Sequence, residues 1–352
     1  MIDTFDLTVH RIAASRLHEV DFNNIQFGKV YSDHIFDADY FDGDWRDFRI
    51  VPYGPLHISP ANVTLHYGHS VFEGMKAHKN ENDEVLLFRP LENFKRLNKS
   101  AERLCLQEIP QDVFMGGLQE LINLDRDWVP EFEGTSLYIR PVLFATDEYI
   151  GIRPSSRFRF MIITCPVGAY YSRPVKVCVE TKYSRAAPGG TGFAKAAGNY
   201  AGSMYPAKLA QEKGYDQLLW TDAATHKYIE ESGTMNVMFY IDDTLITPLV
   251  GDTILDGITR DSVLTIARDM NIKVEERPVS VEEIIDASKS GDLKEAFGTG
   301  TAATIAPIST IGLNGTDYEL PSERPISEEF KQTLDSIKTG KIIDRFNWTI
   351  RI

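Results

Sequence analysis

Residues 186–206 read AAPGGTGFAKAAGNYAGSMYP, a bed of glycine and alanine around a single lysine, Lys195, with Tyr200 five residues after it. Small residues let backbone come close to a flat bulky group, because no Cβ branch stands in the way. Surface lysines usually sit among polar neighbours, and this stretch has almost none. A lysine approached closely by a ligand, and partly desolvated, can lose its proton and attack a carbonyl. Lys195 therefore reads as a Schiff-base lysine and the glycines as room for a cofactor ring. The bland alternative is a flexible glycine-rich loop that happens to contain a lysine.

Bulk properties narrow the function classes. A chain of 352 residues has room for two domains with their own cores. A net charge of −14 argues against a nucleic-acid or anionic-membrane binder, though not against a local anion pocket. Cys105, Cys165 and Cys178 are odd in number and lack C-x-x-C spacing, so neither a disulfide framework nor a zinc site is indicated. Reduced thiols fit a cytoplasmic protein. The N-terminus MIDTFDLTVHR is acidic where a signal peptide is basic, and no apolar run reaches membrane-spanning length.

Along the chain, FGKVYSDHIF (27–36) alternates like an edge strand. In LHYGHSVFEGMKAH (65–78), His66 and His69 are spaced for one helical face, but a pair alone is no metal site, and no metal is expected. VLLFRP (85–90) is a short strand, with Pro90 opening a helix, so Arg89 stands at a strand-to-helix junction where a phosphate could meet it. A second helix is expected over 111–124. SLYIRPVLFAT and RFRFMIITCPVG read as strands, the first placing Tyr138 and Arg140 on one face. PVGAYYSRP marks an interdomain linker. The expected division is a smaller N-terminal domain over 1–167, a linker over 168–176 and a larger cofactor domain over 177–352.

The second half opens with the strand KVCVET. Beyond the lysine stretch come a helix around 203–213 and an antiparallel meander from 215. Glu230 and Glu231 are adjacent on a strand, so only one is expected to point inward, where it needs a cationic partner. The helix start near Ile258 and Thr259 offers N–H groups to an anion. Gly298-x-Gly300-x-x-Ala303 matches a dinucleotide fingerprint formally, but TIAPISTIG cannot supply the helix that must follow. The better reading is a strand-ended loop whose amides face an anion. A reactive lysine, phosphate-binding amides with an arginine, an inward glutamate and a tyrosine are together what pyridoxal 5′-phosphate requires.

Taken jointly, these segments are identified. From FGKVYSDH through LHYGHSVFEGMKAH, FRPLENFKRL, SLYIRPVLF, CPVGAYY, GGTGFAKAAGNYA, IEESGTMNVMF and LDGITRDS to FGTGTAATIAPI, the chain resembles the branched-chain amino acid aminotransferases of the fold-type IV pyridoxal-phosphate enzymes. The resemblance implies an α+β fold: two α/β domains with mostly antiparallel sheets and an interdomain active site in a homodimer. It implies reversible transfer of the amino group of leucine, isoleucine or valine to 2-oxoglutarate by a ping-pong mechanism. The sister readings are D-amino acid aminotransferase and aminodeoxychorismate lyase. Lys195 matches the lysine that bonds the cofactor and moves the substrate proton. Glu231, rather than Glu230, matches the partner of the pyridine nitrogen, and Tyr200 that of the phenolate oxygen. Arg89, Ile258, Thr259 and Thr301 match the phosphate site, and the amides of Ala302 and Ala303 the substrate α-carboxylate site. Phe72, Tyr67, Tyr138, Tyr170 and one of Phe27 or Tyr31 resemble side-chain pocket walls. Arg140 resembles the residue that accepts the distal carboxylate of glutamate. Where some members carry a redox C-x-x-C pair, this chain has Ala303 and Ala306, so no such switch is expected.

Overall fold

The computed structural model describes residues 6–22 and 24–352. The chain forms two compact units. One holds the chain up to Tyr170 together with Ala194–Gly198 and Ser336–Ile352; the other holds Tyr171–Phe193 and Asn199–Asp335. The division expected from sequence therefore needs correction, because the segment around Lys195 and the C-terminal stretch belong to the first unit. Main-chain pairing is the cause: Ala196 bridges Val71, and the last strand pairs inside the first sheet.

The first unit contains β1 (Thr8–Val9), β2 (His34–Phe41), β3 (Asp44–Pro52), β4 (Ser70–Phe72), β5 (Met75–Lys79), β6 (Val85–Phe88), β7 (Ser136–Ala145) and β8 (Phe158–Val167). Its helices are α1 (Val63–Tyr67), α2 (Pro90–Arg103) and α3 (Gln111–Leu124). The sheet runs β1-β3-β2-β8-β7-β5-β6, with β4 also on β7. Apart from β1 with β3, these pairings are antiparallel. α2 forms because Pro90 presets its first turn and Leu97 and Ala101 supply a fully buried stripe. α3 packs its glycine onto the sheet: a Cβ on Gly117 would come within 2.6 Å of the Phe36 ring. Phe114 of α3 and Phe36 and Phe160 of the sheet are all fully buried at this contact.

FGKVYSDHIF is not an edge strand. Pairing begins at His34, and β2 lies between β3 and β8. The preceding residues turn instead, with Gly28 at φ +69° and its carbonyl taken by the Tyr31 hydroxyl at 3.0 Å. His66 and His69 do not share a helical face either, because Gly68 ends α1 in the left-handed conformation.

Further along lie β9 (Val175–Val179), α4 (Ala197–Ala201), α5 (Met204–Glu212), β10 (Gln217–Thr221), β11 (Tyr228–Ser232), β12 (Asn236–Ile241), β13 (Thr244–Thr247) and α6 (Ile258–Asp269). They are followed by β14 (Lys273–Glu276), β15 (Val279–Ser280), α7 (Val281–Ser290), β16 (Leu293–Gly300), β17 (Thr304–Leu313), β18 (Thr316–Glu319), α8 (Pro325–Lys338) and β19 (Thr349–Arg351). The second sheet runs β14-β13-β12-β16-β17-β9-β10-β11-β15. The expected meander is interrupted: β12 pairs with β16 and β11 with β15, and the turn between β11 and β12 is closed by the Ser232–Met235 bridge. Gly233, at φ +58°, turns the chain out of one hairpin and into the next. Core residues Val177, Leu219, Val237, Phe239 and Ile308 pack between this sheet and its helices. β19 returns to the first unit and lies antiparallel to β6.

Candidate active site

In the first unit, Lys195 is held by its main chain. Its N–H donates to Ser100 Oγ at 2.9 Å, and its carbonyl accepts from the Phe72 N–H at 3.1 Å. Its Nζ lies 5.0 Å from the centre of the Phe72 ring. On the same ring sits the Arg140 guanidinium, 4.6 Å from the centroid. Arg140 also donates through Nη2 to the Tyr138 hydroxyl at 2.9 Å. Its Nε is buried with no hydrogen-bond partner among the described residues. A buried, unpaired guanidinium nitrogen is costly unless an acceptor arrives.

The aromatic residues sort themselves around this pair. Phe27 meets Tyr138 edge-on at 5.0 Å and Tyr170 at 5.1 Å. Tyr31 packs against the Tyr138, Cys165 and Val167 cluster but stacks flat on Tyr53 at 4.7 Å. Phe27 thus joins Tyr138 and Tyr170, with Tyr31 behind. Tyr67 ends α1 and is exposed, its ring 6.1 Å from that of His66. Arg89 caps α2 with the left-handed φ of +51°, unusual for a residue with a side chain. Its N–H donates to the Trp348 carbonyl at 2.7 Å and its guanidinium lies 5.2 Å from the Trp348 ring. Trp348 had no sequence signal linking it to Arg89.

The second unit holds the other candidates. Glu230 and Glu231 are both buried, so the expectation that only one points inward fails; elements cover both faces of β11. Their surroundings differ. Glu231 accepts from the Leu255 N–H at 2.8 Å and pairs with Arg185 Nε at 3.3 Å. Burial pushes the Glu230 carboxyl up, only partly opposed by Thr253 and Arg185. Glu231 is therefore the glutamate with both a guanidinium and a main-chain donor on its carboxylate, and Arg185 is a partner that sequence reasoning missed. Tyr200, on α4, is half-buried, with its carbonyl accepting from Ser203.

α6 begins at Ile258 and Thr259 behind Gly257, which has no side chain to close the helix start. Asn236 instead steadies this turn, its Nδ2 donating to the Leu255 carbonyl at 2.8 Å. Thr301, Ala302 and Ala303 form the tip of the β16–β17 hairpin, between the paired Gly300 and Thr304. A strand follows Gly300, not a helix, so the dinucleotide geometry is absent. A helix start without a side-chain cap and a buried carboxylate fixed by an N–H and a guanidinium suit the phosphate and ring nitrogen of a pyridoxal group.

The glycines before Lys195 do something other than clear space for a ring. Gly189 takes φ +74° in a turn. A Cβ on Gly192 would lie 2.8 Å from Thr253 Cα and 2.9 Å from the Asp252 carbonyl oxygen. The chain's own backbone fills that space. Gly192→Ala should therefore destabilise the protein by about 1–3 kcal/mol, read as a lower midpoint in denaturant. Gly189, and Gly198 just after the lysine, have open space around them. Among the described residues no group of three His, Cys, Asp or Glu side chains is placed to hold a metal ion.

A family model described as amino-transferase class IV matches residues 70–311. The chain belongs to that family. It is 43% identical over 347 residues to branched-chain-amino-acid aminotransferase 2 of Bacillus subtilis, covering 97% of this chain and 96% of that one. It is 39% identical to the branched-chain-amino-acid aminotransferase of Mycolicibacterium smegmatis, covering 97% and 95%. Among solved structures, the branched-chain aminotransferase of Thermoproteus uzoniensis with norvaline matches at a TM-score of 0.74 and 27% identity, over 90% of this chain and 99% of that one. The fold is accordingly the α+β, fold-type IV architecture.

Proposed function

We infer that this protein is a pyridoxal-phosphate-dependent branched-chain amino acid aminotransferase. It exchanges the amino group of leucine, isoleucine or valine with 2-oxoglutarate. Relatives of 42–44% identity over nearly the whole chain carry the branched-chain name rather than that of either sister activity. The observation that carries the reading is the Arg140 guanidinium, stacked between Phe72 and Tyr138 with a buried, unpaired Nε, on the ring that Lys195 also faces. Aromatic walls suit a branched aliphatic side chain, and the guanidinium suits the distal carboxylate of glutamate.

The cofactor supplies an electron sink for the charge that develops when Cα–H is broken. The chain's residues do the rest. Lys195 Nζ would hold the cofactor through its aldehyde carbon, with loss of water, and as a free amine would take the Cα proton of the substrate. Glu231, paired with Arg185 and the Leu255 N–H, would face the ring nitrogen and favour its protonated form. Tyr200 would serve the phenolate oxygen. The α6 amides of Ile258 and Thr259, with Thr301, would hold the phosphate, and Arg89 is the arginine that would join them. The Ala302 and Ala303 amides receive the α-carboxylate.

We also take the protein to be a cytoplasmic homodimer. Leu65, Tyr67, Tyr149, Ile150 and Ile152 are exposed on segments that touch, Tyr149 N–H donating to the Ala61 carbonyl. Such a patch favours a second copy. Light scattering at a monomer mass would sink that part. The three cysteines are unpaired, which fits a reducing compartment.

The direct test is leucine with 2-oxoglutarate, which should yield glutamate and 4-methyl-2-oxopentanoate. Activity confined to D-alanine would overturn the assignment. Arg140→Leu should separate the two half-reactions. Loss of a charge-assisted contact predicts roughly a 30-fold or larger rise in KM for 2-oxoglutarate, with the leucine half-reaction within about threefold of the parent.

A further inference from the structure

β4 ends at Phe72, and the next residue, Glu73, is fully buried. Four donors converge on its carboxylate. Arg96 gives Nε to Oε1 at 2.7 Å and Nη2 to Oε2 at 2.9 Å. Asn93 Nδ2 reaches Oε2 at 2.7 Å and the Gly74 N–H reaches it at 3.1 Å. Asn93 also donates to the Gly74 carbonyl at 3.2 Å. Burial pushes the carboxyl up, but the Arg96 charge and hydrogen bonds, the Lys195 charge and the Asn93 hydrogen bond outweigh it, so Glu73 stays ionised.

Stability alone does not call for this arrangement. A well-packed apolar residue is often as good in such a place as a buried ion pair. The position of Glu73 matters because of what its main chain holds. The Phe72 N–H donates to the Lys195 carbonyl, and the Glu73 N–H donates to the Pro141 carbonyl at 2.8 Å. Lys195 N–H donates in turn to Ser100. Asn93, Arg96 and Ser100 are spaced by three and four residues, so they share one face of α2. The same helix carries Arg89 at its cap.

We propose that Glu73, gripped by Arg96 and Asn93, is a positioning residue for the reaction: it locks the Phe72 turn to α2 and so fixes the main chain of Lys195. Through it, one rigid helix sets the place of the reacting lysine, the pocket ring and the arginine at the helix cap. The inference rests on Lys195 being the reacting lysine.

The test measures how fast Lys195 in the cofactor-free protein captures pyridoxal phosphate. The bond is trapped with borohydride and located by peptide mass spectrometry, and leucine turnover is measured in parallel. Glu73→Gln should slow capture at least tenfold and lower kcat 10- to 100-fold, with KM for leucine within about threefold. Glu73→Asp, which keeps the charge but shortens the reach, should recover part of both. If Glu73→Gln does not fold, the double variant Glu73→Gln with Arg96→Gln leaves no lone buried charge and should show the same slow capture. Capture and kcat within twofold of the parent in a folded variant would overturn the positioning role. A parent protein whose Lys195 captures nothing would instead overturn the functional reading on which it rests.

Discussion

Lys195→Ala is expected to fold normally and to lose turnover by at least about 10⁴-fold. The variant loses both the nucleophile and the proton carrier, and acid–base help alone is worth roughly 10²–10⁴-fold. Its structural cost is small, because its backbone makes hydrogen bonds to Ser100 and Phe72 that do not depend on the side chain. Alanine keeps both. Thermal melting should shift by no more than a few degrees, and a visible band on adding pyridoxal phosphate should no longer survive as a borohydride-trapped adduct at this position. Full turnover in the alanine variant would remove Lys195 from the chemistry.

Glu231→Ala should damage both turnover and stability. Turnover is expected to fall roughly 10²–10³-fold as the charge opposite the ring nitrogen disappears. Stability should fall by about 3–5 kcal/mol, because Arg185, buried beside it, loses its counter-charge and the Leu255 N–H loses its acceptor. Glu231→Gln separates the two, since an amide oxygen still accepts from Leu255 while the charge is gone. Steady-state kinetics and denaturant midpoints on the pair read the two effects. Unchanged kcat/KM in either variant would return the choice to Glu230.

Local structure was the part most legible in the sequence. Pro90 and the Leu97/Ala101 stripe mark α2, the expected 111–124 helix coincides with α3, and the two apolar runs become β7 and β8. The loop between Gly300 and Thr304 was also readable, because β-branched residues and Pro307 leave no room for a helix. Partners distant in sequence were not. Nothing in MNVMFYID says that it pairs with β16 rather than β11, since alternation records a face and not a neighbour. Residues 27–33 alternate like a strand yet turn, because Gly28 and Tyr31 form a local hydrogen-bonded bend. Within the candidate site, residue types with a single chemical use, such as Lys195, stood out. Glu73 and Arg185 did not, because their role comes from side chains that meet only after folding.

The mixed membership of the first unit carries a consequence for the newborn chain. Its sheet receives its last strand, β19, from residues 349–351, and the Lys195 segment comes from the middle of the second unit's sequence. During synthesis from the N-terminus, residues up to Tyr170 emerge without either piece. Arg89 cannot gain its contact with Trp348 until residue 348 has emerged, more than 250 residues later in the sequence. The second unit's sheet, all of whose strands lie before residue 320, can assemble earlier. Maturation of the first unit therefore waits on residues 348–351, and a chain stalled or clipped before them would carry an unfinished β6 edge exposed to pairing with other chains.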